Sequence, residues 1–220
     1  LYILPLLGEQ NGLITMELNA KKIHLLECAE RLFSENGYAE TSIRDIAKHA
    51  SVNSAMISYY FGSKEKLVKA ILDYRTTDLD KLLPTLDVQS TSNLEHILAI
   101  INFYIDKVFE QKDFYKLLYQ LQASDSQASL MEHFNKIRHK NHYLLKSIFE
   151  AGAAAGEFNP DIDVSLVTST LTGSINHIVF NQAYYRDVND LKKMPEKKFV
   201  ALLKERSKAH LNKLIMAMIH

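Results

Sequence analysis

Ser63 and Lys66 stand three residues apart, a spacing at which a lysine one helical turn on could activate a serine hydroxyl. His139 and His142 repeat that spacing, with His133 and Glu132 upstream, and these residue types can bind zinc. Neither set is complete. Ser63 lies at a helix start without the companion motifs of a serine nucleophile. The histidines lack an HExxH arrangement or a cysteine cluster, so they are expected on a solvated face. The chain is therefore expected to be no enzyme, with no catalytic residue, no metal and no cofactor. A third set has a different chemistry. Ser42 and Arg44, then Asn53, Ser54, Ala55, Met56, Ser58, Tyr59, Tyr60 and Lys64, are hydroxyls, an amide, small apolar groups and cations packed into 23 positions. Groups of these kinds contact phosphates and base edges when a helix holds them outward.

The elements that must hold them are helical. Gly and Pro together number only 11, and no alternating strand pattern appears. From Asn19 to Asn36 apolar residues fall at Ile23, Leu26, Ala29, Leu32 and Phe33, with Gly37 as a left-handed stop. Ser42 and Asp45 form a capping box for a second helix buried through Ile43, Ile46, Ala47 and Ala50. After Ser51-Val52, Asn53 caps a third helix ending at Phe61, and Val52 with Ile57 can staple its entry. Gly62-Ser63 opens a fourth, with Leu67, Ala70, Ile71 and Tyr74 inward. A three-residue break holds the second and third helices at a steep angle, the helix-turn-helix geometry.

Beyond Pro84 the helices lengthen. Stripes run through Leu94 to Val108, Phe114 to Ala123 and Leu130 to Ile148, closed by Gly152, Gly156 and Pro160. Two more are expected from about Val164 to Tyr185 and about Glu196 to Ile219. The expected architecture is all-α, about nine helices: a three-helix helix-turn-helix head with a linking fourth helix, on a larger C-terminal helical body. The head takes residues 17–78, with its motif at 42–61, and the body residues 79–220. Residues 1–16 are set apart as an extension of no assigned function.

Composition excludes several classes. Forty-seven per cent hydrophobic residues suffice for a packed core, against disorder. Twenty-six basic residues balance 26 acidic ones, unlike a basic RNA-coating protein. The single Cys28, set among Leu25, Leu26, Ala29 and Leu32, reads as a small core residue and suits a reducing, cytoplasmic setting. No apolar run reaches the ~18 residues of a bilayer span. The apolar start Leu1 to Leu7 has no basic flank and contains Pro5, so no signal peptide is expected.

Residues 21–72 resemble the N-terminal domain of the TetR family of bacterial regulators. The resemblance rests on Ala29-Glu-Arg-Leu-Phe-Ser-Glu-Asn-Gly-Tyr38, Thr41-Ser-Ile-Arg-Asp-Ile-Ala-Lys-His-Ala50 and Ser51-Val-Asn-Ser-Ala-Met-Ile-Ser-Tyr-Tyr-Phe61-Gly-Ser-Lys-Glu-Lys-Leu67. Three linked blocks at matching spacing are far more specific than any one. The chain departs from the family pattern at Ser51, where the turn usually has Gly, at Ser54-Ala55, where Lys-Gly is frequent, and at Ser58, where Tyr is common. The resemblance implies a sequence-specific regulator of transcription, expected as a repressor that a small molecule releases from a palindromic operator. The competing reading is a ligand- or protein-binding helical adaptor whose head has lost DNA binding.

Under the first reading, Ser54 to Phe61 makes a helix ~12 Å long, which fits a major groove of about the same width. Ser54, Ala55, Met56 and Ser58 are assigned to bases, Tyr59 and Tyr60 to phosphates. Ser42, Arg44 and Lys64 flank them on the backbone, with Asn53 at the helix start. Without Arg, Asn or Gln on that helix, direct readout is thin, and DNA shape carries more of the specificity. One small helix gives limited affinity, so a homodimer is expected. Its interface is assigned to Leu171, Ser174, Ile178, Leu211, Leu214, Ile215 and Met218. In the family a small molecule is commonly enclosed among the middle helices. Asn102, Tyr119, Asn141, His177 and Phe180 are the candidate ligand contacts, being polar or aromatic groups in apolar stripes.

Overall fold

The computed structural model describes residues 20–76, 92–123 and 128–219. Ten helices and no strand occur among them: α1 Ala20–Asn36, α2 Ile43–His49, α3 Ser54–Phe61, α4 Lys64–Thr76, α5 Asn93–Glu110, α6 Lys112–Gln122, α7 Ala128–Ala154, α8 Val164–Phe180, α9 Gln182–Val188 and α10 Glu196–Ile219. The tenth helix arises because the stretch expected as one element to Tyr185 breaks at Asn181. There the side-chain amide donates to the His177 carbonyl at 2.9 Å, an internal competitor for the helix's own bonding. No glycine or proline marks that break.

Local chemistry sets the first four helices. The Ser42 hydroxyl accepts from the Asp45 amide while the Asp45 carboxylate accepts from the Ser42 amide at 2.9 Å, so two otherwise orphaned donors at the start of α2 are satisfied. Asn53 Oδ1 accepts from the Ala55 amide at 2.9 Å and starts α3. Between them Ser51 sits at φ 55° and Val52 donates to the Ala47 carbonyl at 2.9 Å. The buried Thr41 hydroxyl donates to the Gly37 carbonyl at 2.8 Å, tying the end of α1 to the start of α2.

Apolar burial then joins elements far apart in sequence. Leu25, Ala29 and Phe33 of α1, Ile46 of α2, Ile57 and Phe61 of α3, and Leu67 and Ile71 of α4 form one cluster. That cluster continues into Phe114, Leu117, Leu118 and Leu121 of α6 and Leu130 and Phe134 of α7. Packing therefore runs unbroken across the expected border at residue 78. A second cluster unites Ile97, Ile101 and Ile105 of α5, Phe149 of α7, Val167 and Ile175 of α8, and Leu211 and Ile215 of α10. Lys204 and Lys208 bracket Asp106 at 2.8 and 2.6 Å and lock α10 onto α5. No described helix is long and apolar enough to cross a membrane.

Gly152, expected with Gly156 and Pro160 to close a segment, lies inside α7, and it is Gly156 at φ 73° that follows the helix end. Gly152 has a packing role instead. A Cβ there would stand 2.2 Å from two ring carbons of Phe158, itself 5% exposed and stacked on Phe149. Ala would gain up to ~1 kcal/mol over Gly in an open helix, but overpacking a core costs about 1–3 kcal/mol. Gly152→Ala is thus expected to lower the melting temperature by several degrees, and a rise would show that Phe158 yields freely.

Candidate functional site

The first site is the outer face of α3. Ile57 and Phe61 are buried, which turns Ala55, Ser58 and Tyr59 to solvent and leaves Ser54 and Met56 half-exposed. Tyr59 is 85% exposed, unusual for a large aromatic side chain with nothing to cover it. Tyr60 is half-buried, its ring beside Phe61 and under the Lys22 ammonium at 5.2 Å. The expected recognition residues therefore do share a face, with Tyr60 at its edge.

Three flanking residues are already engaged. The Ser42 amide and hydroxyl both donate to Asp45, at 2.9 and 2.5 Å, so the helix's own carboxylate occupies the position in which a phosphate was expected. These bonds hold the Asp45 carboxyl below the usual range. The box is therefore intact at neutral pH and is lost only as pH falls through that lowered value. Asn53 spends its side-chain oxygen on the α3 cap. The Lys64 ammonium donates to the Ala39 carbonyl at 3.3 Å and rests 4.3 Å above the Tyr38 ring, half-buried, and burial lowers its pKa. Arg44 is exposed.

The second site is a cavity of about 920 Å³ lined by α5, α6, α7 and α8, with Arg75 and Thr76 of α4 and Leu211 of α10, and open to solvent at Tyr119 and Tyr143. Its walls are apolar through Ile97, Ile101, Phe114, Leu118, Leu145 and Phe149. Its charged lining is of one sign: Arg75, Lys107, Arg138 and Lys146, with His139 and His142, and no carboxylate among the described residues. Arg75 is chelated by Glu30, Lys107 lies 4.0 Å from Glu110 and Lys146 3.6 Å from Glu150. Arg138 lies beside the Asn135 side chain and the Phe134 ring. Deeper in, the Tyr104 phenol is held above its ordinary pKa by burial, opposed by a hydrogen bond with Asn176. The Asn176 Oδ1 is buried without a partner.

Of the expected ligand contacts, Tyr119 and Asn141 line this cavity. Asn102 does not. It faces α10, where it accepts from the Asn212 amide at 3.3 Å, because the α5 stripe turns it away from α7. His177 is exposed beside Asn181, and Phe180 stands behind Tyr119, its ring 6.1 Å away, outside the lining. Sequence reading missed Arg75, Arg138, Tyr104 and Asn176. A signal existed for Arg138, since Phe134, Arg138, Asn141 and Leu145 follow one helical stripe.

Two residues assigned to a pairing surface are covered within the subunit. Leu211 and Ile215 are 1% and 0% exposed, covered within the subunit by α5, and cannot meet a partner. Leu171 lines the cavity. Ser174, Ile178, Leu214 and Met218 are half-exposed. The open face of α8 and α9 instead carries Leu166, Thr170, Gly173, His177, Tyr184 and Val188. His133 pairs with Asp73 of α4 at 2.7 Å, whereas His139 and His142 turn to the cavity, so the three histidines do not converge. No cluster of three metal-binding side chains occurs among the described residues.

Comparison with known proteins covers both the first four helices and the rest of the chain. Residues 25–71 match the family model described as bacterial regulatory proteins, tetR family, and residues 80–205 match the C-terminal region of YsiA-like proteins. The transcriptional repressor KstR2 of Mycolicibacterium smegmatis is 31% identical over 153 residues, 67% of this chain and 72% of that protein. The fold is similar to that of the regulator FadR from Bacillus subtilis in complex with stearoyl-CoA, with a TM-score of 0.67, 21% identity and coverage of 90% and 99% of the two chains. It is equally similar to KstR2 of Mycobacterium tuberculosis, a ketosteroid transcriptional regulator, at 0.67, 20% identity and coverage of 92% and 96%.

Ser51 offers a direct test of the turn. A side chain at positive φ costs about 1–2 kcal/mol, while glycine gives back only ~0.4–1 kcal/mol through the unfolded chain. Ser51→Gly is expected to raise the melting temperature slightly, and an unchanged or lower value would mean that the turn is not strained.

Proposed function

This chain belongs to the TetR family of bacterial transcriptional regulators, and we propose that it works as a homodimeric repressor that an amphipathic anion releases from a palindromic operator. In this reading residues 17–78 hold DNA and residues 79–220 bind the effector and the second subunit. The observation that carries DNA binding is the outward face of α3, with Ala55, Ser58 and an 85% exposed Tyr59 backed by buried Ile57 and Phe61. Ser54, Met56 and Tyr60 border that face, Arg44 approaches the backbone, and Lys64 swings from Tyr38 to a phosphate.

The effector class follows from the second site. Apolar walls reward a long or ring-built apolar body, at ~25 cal/mol for each Å² buried. The lining has four basic residues, three of them paired with Glu30, Glu110 and Glu150 outside it, and no carboxylate of its own, so the charge presented inward favours a negatively charged group at one end. Stearoyl-CoA, named with the FadR complex, has that character. Leu166, Gly173, His177, Tyr184 and Val188, flanked by Ile178, Leu214 and Met218, form the proposed pairing face, where Gly173 allows close helix approach.

Selection of bound duplexes from random DNA tests the reading. Two-fold symmetric sites with two half-sites are expected, and recovery of no enriched sequence would remove it. Lys64→Ala should flatten the dependence of affinity on salt by about 2 per dimer, near 0.9 per phosphate contact. An unchanged slope would take Lys64 off the DNA.

A further inference from the structure

Arg75, at the end of α4, stands in two environments. Its Nε and Nη2 donate to the two carboxylate oxygens of Glu30 on α1, at 2.7 and 3.0 Å, and the same residue lines the cavity. Glu30 is 5% exposed, so the pair is almost dry on the α1 side. One turn further along α1, the Ser34 hydroxyl donates to Asp113 of α6 at 3.0 Å, and the Ser34 carbonyl accepts from Gln120 at 3.2 Å. This face of α1 is thus clamped by charge and hydrogen bonds between α4 and α6.

The clamp is poorly balanced. Burial raises the Glu30 pKa despite the hydrogen bond and charge of Arg75, and the neighbouring Asp113 and Glu27 carboxylates add to the rise. A guanidinium has five N–H donors and Glu30 takes two, so an anion reaching Arg75 from the cavity can share it before displacing the carboxylate. Glu30 would then be left buried beside two other acids, a state relieved by taking up a proton or by α1 moving from α4.

We propose that Arg75 is the residue through which the effector reaches the DNA-reading head: the anionic group in the cavity exchanges with Glu30 for the guanidinium, and the α1–α4 ion pair opens as the ligand binds. This rests on the reading of the cavity as a site for an amphipathic anion. The movement is passed to α3 because Phe61 ends that helix, Gly62-Ser63 is the whole connection to α4, and α1 packs on α4 and shares one apolar cluster with Ile57 and Phe61. Coupling of this kind is reciprocal, so DNA that holds the pair closed must weaken the ligand by the same factor.

The test uses the full chain, its selected operator, and calorimetric binding of stearoyl-CoA, dodecanoate and the neutral dodecanol to the wild type, Glu30→Gln, Arg75→Gln and the double variant. Glu30→Gln, which removes the competing charge, is expected to bind both anions about 5- to 20-fold tighter, within the usual range of coupling. Arg75→Gln should weaken them by a similar factor, with dodecanol unmoved by either change. Without ligand, each single variant should bind DNA more weakly, and the double variant should be no worse than Arg75→Gln. Arg75→Lys keeps the charge but loses the two-pronged grip, so it should also bind anions tighter; it carries the test if Glu30→Gln melts. Unchanged or weaker anion binding by Glu30→Gln, or by Arg75→Lys where Glu30→Gln melts, with the wild type still preferring the anions to dodecanol, overturns the exchange alone. A wild type that prefers neither anion to dodecanol overturns the effector reading and the exchange with it.

Discussion

The apolar seam between the first four helices and α6 with α7 is the constraint on which the rest of this structure depends. α2 and α3 have seven and eight residues, too few to be stable alone. The four helices bury one face against each other, yet Leu117, Leu118, Leu121 and Leu130 from the body complete that core. At ~1.5–3 kcal/mol for each buried large side chain, these contacts weigh as much as the caps that start α2 and α3. The direction in which α3 faces is therefore fixed by the body as well as by the turn at Ser51.

That arrangement places the cavity beside the seam. α6 supplies Leu117 to the shared core and Phe114 and Leu118 to both core and cavity wall, and Phe134 of α7 does the same. A close-packed interior transmits displacement instead of absorbing it. Among the described residues the polar ties across the seam are Ser34 with Asp113 and Gln120, Asp73 with His133, and Lys69 and Glu65 with Ser129. A displacement of the cavity wall would reach the head through these groups, through Arg75 or through the seam itself.

The far side of the body is built differently. α10 is held by Asp106 ion pairs and by Leu211, Ile215 and Ile219 against α5, which leaves its small and polar residues, Ala209, Lys213 and Ala217, outward. With Gly173 and Thr170 of α8, this surface has little side-chain bulk and open apolar groups at Leu166, Tyr184 and Val188. This surface stands apart from the apolar core, which the chain covers internally.

Much of this was legible in the residues. The capping box at Ser42, the Asn53 cap and the buried backs of α2 and α3 follow from nearest-neighbour chemistry, which acts over one helical turn and so leaves its mark in local spacing. Period alone cannot say what covers a helix. Leu211 and Ile215 were expected to meet a second subunit and are covered by α5; Asn102 was expected in the cavity and faces α10; Gly152 was expected as a stop and receives the Phe158 ring. Arg75 and Glu30 lie 45 positions apart, and only the packing of α4 on α1 brings them to 2.7 Å. What the chain's order determined by itself was the set of helices and the family head, because those depend on neighbours in sequence. Which apolar stripe meets which, and where a buried charge finds its partner, depends on the volume left when all helices pack together, and only the tertiary structure decided that.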